Sequence, residues 1–211
     1  MNLHSNHKLL FSVIFLGFLA LSMVIAVGPA IGVENSMHPL PGAKPMTDLE
    51  KRGMGVYIAE GCVACHTQQV RPIEMDQVWG RAAVPGDYAY VEPLGMWSPY
   101  APALLGSSRT GPDLTNVGAR QASETWQYMH LYNPRMVVPD SVMPAYPWLF
   151  EVVAEVGADD AVVPVSGEHA PPAGQVIPTE DGAALVAYLL SLRQASLEGS
   201  PTDHSEGVAG R

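Results

Sequence analysis

The chain has only two cysteines, and they stand three residues apart with a histidine directly after the second, in Gly61-Cys62-Val63-Ala64-Cys65-His66. No other feature constrains the fold as strongly. Two thiols at this spacing followed at once by an imidazole form the attachment pattern of a c-type haem. The thiols add to the two porphyrin vinyl groups, and a helical turn brings the histidine back to the iron as the proximal ligand. A thioredoxin-like redox pair shares the cysteine spacing but expects a βαβ setting that the surrounding sequence lacks. A four-thiolate zinc site is excluded because no further cysteine exists. Cys62 and Cys65 are therefore expected to carry one covalent haem c, with His66 on its iron.

An electron-transfer haem of this kind takes a second axial ligand, usually Met, which raises the potential, or His. Of the ten methionines, Met1 and Met23 fall at or within the apolar N-terminal run, Met37, Met46 and Met54 precede the motif, and Met75 follows it too closely to reach the opposite haem face. Met96, Met129, Met136 and Met143 remain, with His130 as the non-Met alternative. Met143 lies in Val138-Pro139-Asp140-Ser141-Val142-Met143-Pro144-Ala145-Tyr146-Pro147-Trp148. The three prolines remove amide donors and fix φ, so the segment reads as a stiff loop able to hold a thioether in place. Met129 sits in a predicted helix as a packing residue, and Met136 reads the same way in the loop beyond. Met143 is the favoured ligand.

From Leu9 to Val33 there is no Asp, Glu, Lys, Arg or His. That run exceeds a typical signal core and is long enough to span a bilayer. The one cleavage-like triplet, Ala26-Val27-Gly28, is followed by Pro29, which favours a retained anchor over a cleaved signal. Lys8 before the run and Glu34 after it predict an N-terminus on the cytoplasmic side and an exported remainder, as a single pass through the membrane. Only Lys8 of the 11 basic residues precedes Glu34, and all 21 acids lie at or after it, so the part beyond the run carries a balance of −11. That charge suits a soluble acidic domain or a basic partner drawn by long-range steering, and it argues against nucleic acid.

The anchor thus occupies 9–33 after a short cytoplasmic 1–8, and a Pro-containing tether follows at 34–46. The haem domain is expected over 47–195 and a disordered polar tail over 196–211. Thr47-Asp48 opens a helix running to the haem motif, Ser123 caps a second, and Thr179-Glu180-Asp181 opens a third whose Ala184, Leu185, Tyr188, Leu189 and Leu192 repeat at helical spacing. Gly53 and Tyr57 share one face of the first helix, a place for close approach if the first and third cross. Residues 80–112 and 157–178 read as long loops, and the one strand expected is a short Ala89–Val91.

These residues also carry a resemblance. The motif followed by Thr67-Gln68-Gln69-Val70-Arg71-Pro72, then Arg109-Thr110-Gly111-Pro112-Asp113-Leu114, Asn133-Pro134-Arg135 and Met143-Pro144-Ala145-Tyr146-Pro147-Trp148, resembles the monohaem subunit II, the CcoO/FixO family, of cbb3-type cytochrome c oxidase. The resemblance implies a mainly α architecture: one N-terminal transmembrane helix plus a class I cytochrome c domain with long Pro/Gly-rich loops. It implies haem thioethers at Cys62 and Cys65, axial ligation by His66 and Met143, and a Pro112 carbonyl accepting the second imidazole proton of His66. Arg71 and Arg109 are candidates to face haem propionates. The implied partners are the haem-copper catalytic subunit, a further c-type cytochrome subunit and membrane lipid. The implied role is electron relay without substrate chemistry of its own. Two other roles fit less well: the cytochrome c subunit of a nitric oxide reductase, against which the Met143–Trp148 string argues, and a free anchored shuttle, which would not need so much apolar loop surface.

Overall fold

The computed structural model describes residues 5–36, 38–88, 104–158, 160–195 and 197. The strand expected at Ala89–Val91 and the candidate ligand Met96 lie outside them, as does the tail expected at 196–211 apart from Leu197.

The apolar run forms α1 (His7–Ser22) and α2 (Gly28–Ser36), joined by a single wide turn of π-helix over Met23–Val27. There the Gly28 amide donates to the Met23 carbonyl, five residues back. The wide turn ends one residue short of Pro29, whose ring carries no amide proton to continue the usual ladder. Over His7–Gly32 the helix spans 26 residues and buries none of its side chains within the protein. At 1.5 Å per residue it is about 39 Å long, enough to cross the roughly 30 Å apolar layer of a bilayer.

The remaining fold rests on the crossing of α3 (Asp48–Ala59) and α6 (Glu180–Ser191). Each starts where its first amides find a side-chain acceptor. Thr47 Oγ1 accepts from the Glu50 amide and Glu50 Oε2 from the Thr47 amide at 2.6 Å, a reciprocal capping box, while Thr179 Oγ1 accepts from Gly182. The helices meet at Gly53, where an added Cβ would stand 1.9 Å from the Ala184 carbonyl oxygen. One turn on, the rings of Tyr57 and Tyr188 meet at 5.5 Å. On the outer side, Arg52 holds Glu180 at 2.7 Å and Asp181 at 2.8 Å, tying α3 to the first turn of α6. Burying Tyr57, Tyr188, Leu185 and Met54 completely contributes roughly 1.5–3 kcal/mol for each large side chain, which dwarfs that exposed ion pair.

Two further helices complete the walls. The short α4 (Val117–Arg120) lies against the C-terminal half of α6, with the Gly118 amide donating to the Leu192 carbonyl at 2.9 Å. The Ser123-capped α5 (Glu124–Tyr132) places Tyr128 and Tyr132 edge-on to Phe150. Phe150 belongs to a feature not expected from the sequence: β1 (Phe150–Val153) pairs antiparallel with β2 (Gln175–Pro178), from Phe150 opposite Pro178 to Val153 opposite Gln175. Each strand has only four residues and the connection is long, so neither carries enough alternation to stand out from the loops around it.

Candidate functional site

The cysteine motif follows the end of α3. Gly61 turns left-handed at φ 70°, and Cys62–Ala64 form one 3-10 turn in which the Cys65 and His66 amides both donate to the Cys62 carbonyl. The segment 105–114 wraps this turn and satisfies its outer carbonyls. Ser107 donates to Val63, Ser108 Oγ to Ala64, the Gly111 amide to Cys65 at 2.9 Å and the Leu114 amide to Thr67 at 2.8 Å. Cys62 is half-buried and Cys65 exposed, both as free thiols. Burial, with Glu60 adding to it, pushes the Cys62 thiol up to about 12, so it stays neutral at physiological pH.

His66 is held from two sides. Its Nδ1 lies 2.8 Å from the Pro112 carbonyl oxygen. A carbonyl can only accept, so Nδ1 carries a proton, and in the neutral form of the ring that leaves the lone pair on Nε2. Gly111 packs flat against the imidazole, and a Cβ there would stand 2.2 Å from Cε1. The ring borders a cleft of about 670 Å³, open mouth included, whose floor is apolar: Tyr57, Leu114, Val117, Leu131, Leu185 and Leu189. Cys62 and Pro112 border it with His66, and Met143 lines it from the proline-rich loop.

Of the alternatives to Met143 among the described residues, only His130 also lines the cleft. Its ring stacks on Trp126 at 4.6 Å, and its Nδ1 is buried without a hydrogen-bond partner. Met129 is partly buried against the core, and neither it nor Met136 borders the cleft. Burial first and the nearby His66 second lower the His130 pKa from 6.5 to about 4. A histidine buried neutral binds fewer protons folded than unfolded. Its contribution is therefore complete above pH 6.5 and is lost as pH falls toward 4. Acid denaturation of the full chain is expected to show this loss between those values, and His130→Gln to flatten that part of the curve.

Arg71 and Arg109 are brought together, and not on the cleft. Both converge on Asp76, which is fully buried: Arg71 donates from its amide, Nε and Nη2, and Arg109 from Nη1 at 2.6 Å. Arg71 first, then Arg109, hold the Asp76 carboxyl far below the usual carboxylate range. The Arg109 guanidinium also lies 4.8 Å from the centre of the Trp79 ring. The cation that does border the cleft is Arg120, at the end of α4, which donates to the Asp113 carbonyl and pairs with no carboxylate among the described residues. Sequence reasoning missed it. Arg71 follows the motif closely and Arg109 opens the Arg109–Leu114 segment that carries Pro112, whereas Arg120 reaches the cleft through the packing of α4 on α6, which Gly118 permits.

The family described as the cytochrome c oxidase mono-haem subunit, FixO, matches residues 2–168. The chain belongs to this family. It is thus a monohaem cytochrome c subunit of a cbb3-type oxidase, a mainly α protein with one N-terminal apolar helix long enough to cross a membrane. The FixO match covers the anchor, the cysteine motif and the Met143 loop and ends before β2 and α6. No individual curated protein matches the chain.

Proposed function

We propose that this FixO-family chain relays single electrons to the haem-copper catalytic subunit of its oxidase, on the periplasmic face of the bacterial inner membrane. One haem c would be attached at Cys62 and Cys65 and held by His66 and Met143. The observation that carries the proposal is the meeting of His66 and Met143 on one apolar cleft, with the His66 Nδ1 proton engaged by Pro112. The residues fit the group: two free thiols, an imidazole and a thioether are the donor set of a c-type haem, and they stand at a largely apolar cleft. Bound there, haem supplies a reversible one-electron iron couple. The chain's own residues would supply two iron ligands, surround the group with apolar side chains and fix the imidazole tautomer. With His66 and Met143 both given to the iron, no position would remain on it for a substrate, which suits a relay and not a catalyst.

Residues 1–8 lie in the cytoplasm and 9–33 cross the membrane, with Lys8 and Glu34 setting the direction. Residues 34–46 tether the haem domain of 47–195. A further c-type cytochrome subunit and membrane lipid are the other partners. Purification of the full chain in mild detergent tests the assignment: it should emerge with a haem-copper subunit and show a covalently bound haem. A chain that emerges alone, with its haem, is an anchored shuttle instead.

Arg120 takes the part in this site for which Arg71 and Arg109 were candidates, a cation beside a haem propionate. An adjacent guanidinium favours the propionate anion, so Arg120→Gln should raise that propionate's pKa by about 1–3 units. The pH at which the reduction potential bends would move upward by the same amount, as read by redox titration across pH.

A further inference from the structure

Two fully buried carboxylates, Asp76 and Asp113, lie behind the His66 side of the cleft and are bridged by one guanidinium, that of Arg109. Asp113 directly follows Pro112, the residue whose carbonyl takes the His66 proton. Its carboxylate accepts from Thr67 Oγ1 at 2.6 Å, from the Gln69 amide at 2.8 Å and from the Thr115 amide at 2.8 Å. Arg109 closes the circle by donating from Nε to Thr67 Oγ1 at 2.7 Å, from Nη2 to the Gln69 carbonyl and from Nη1 to Asp76. The strand of chain leaving the motif, Thr67–Gln69, is therefore locked to the turn Gly111–Asp113. The two carboxylates of the lock are fully buried and the bonds to them are charge-assisted, which makes them stronger than the same bonds in water.

We propose that Asp113, Thr67 and Arg109 are positioning residues for the proximal imidazole: their lock sets where the Pro112 carbonyl sits and so how strongly it draws the Nδ1 proton of His66. The proposal rests on the haem reading above. A carbonyl pulling on Nδ1–H makes Nε2 a stronger donor and favours the oxidised iron, so loosening the lock weakens that pull and raises the reduction potential. Asp113 also carries charge, and removing it would shift the potential directly. Thr67 separates the two effects, because Thr67→Val deletes the hydroxyl that both Asp113 and Arg109 hold without changing any charge.

The experiment uses the full haem-loaded chain and measures reduction potential, exchange of the His66 Nδ1 proton by NMR, and thermal stability. Asp113→Asn and Thr67→Val should each raise the potential and speed that exchange about tenfold, the loss of about one charge-assisted hydrogen bond. Thr67→Ser, which restores the hydroxyl, should return both readouts to wild type. If Thr67→Val lowers the melting temperature but leaves potential and exchange unchanged, the lock is only structural and the proposal falls. Should Asp113→Asn fail to fold, the Thr67 pair decides alone. A wild-type chain that attaches no haem overturns the haem reading itself, an outcome distinct from either of these.

Discussion

Replacing Met143 by Ala is expected to leave the haem attached, abolish the sulfur-to-iron charge-transfer band and lower the reduction potential. In the proposed site attachment depends on Cys62 and Cys65, which the substitution does not touch. Thioether ligation stabilises the reduced iron, and axial ligands shift haem potentials over about 0.8 V, so a fall on the order of 100 mV or more follows from losing it. Met143 is half-buried and packs against the core, so truncation also costs stability, about 2 kcal/mol at the low end for Met→Ala. A visible spectrum and a redox titration read both effects. Persistence of the band in Met143→Ala would remove Met143 from the iron. Absence of the band from the wild type, with a changed spectrum in His130→Ala, would pass the position to His130, the other unpartnered donor on the cleft.

Gly53→Ala should destabilise the haem domain although it adds one methyl group to a helix and would, on an exposed helix, be mildly favourable. At this position the methyl carbon would stand 1.9 Å from the Ala184 carbonyl oxygen, 2.5 Å from its carbon and 2.8 Å from Tyr188 Cβ. These are backbone or near-backbone atoms that no rotamer change can move aside, so α3 and α6 must separate. Overpacking of this kind costs typically 1–3 kcal/mol, and the melting temperature should fall by roughly 2–4 °C for each kcal/mol. Separation also spreads the cleft, since Tyr57 on α3 and Leu185 and Leu189 on α6 line it together. Gly17→Ala, whose added methyl meets nothing within 4 Å, should leave the melting temperature unchanged. Equal melting temperatures for Gly53→Ala and wild type would show that the crossing tolerates the added volume.

Much of this was legible locally. Thr47, Ser123 and Thr179 start α3, α5 and α6 because a hydroxyl three residues ahead of an orphan amide is a short-range event. The apolar run and the spacing of Cys62, Cys65 and His66 are likewise complete within a few turns of chain. The β1–β2 pair was not legible, because four-residue strands separated by a long connection draw their stability from Phe150 packing on α5 and not from their own pattern.

The arginines mark the boundary most clearly. By itself the sequence determined what chemistry the chain can hold: two thiols and an imidazole at fixed spacing, a proline-stiffened methionine and an anchor without charge. Those are properties of neighbouring residues, set by covalent geometry and hydropathy. Only the tertiary structure decided which cation meets the cleft. Arg71 and Arg109 are drawn to Asp76, which is buried beside them, while Arg120 is carried to the rim by a helix packing that depends on Gly118 having no side chain 2.2 Å from the Leu190 carbonyl. A buried carboxylate must be paired wherever folding leaves it, and where folding leaves it is settled by contacts tens of residues apart.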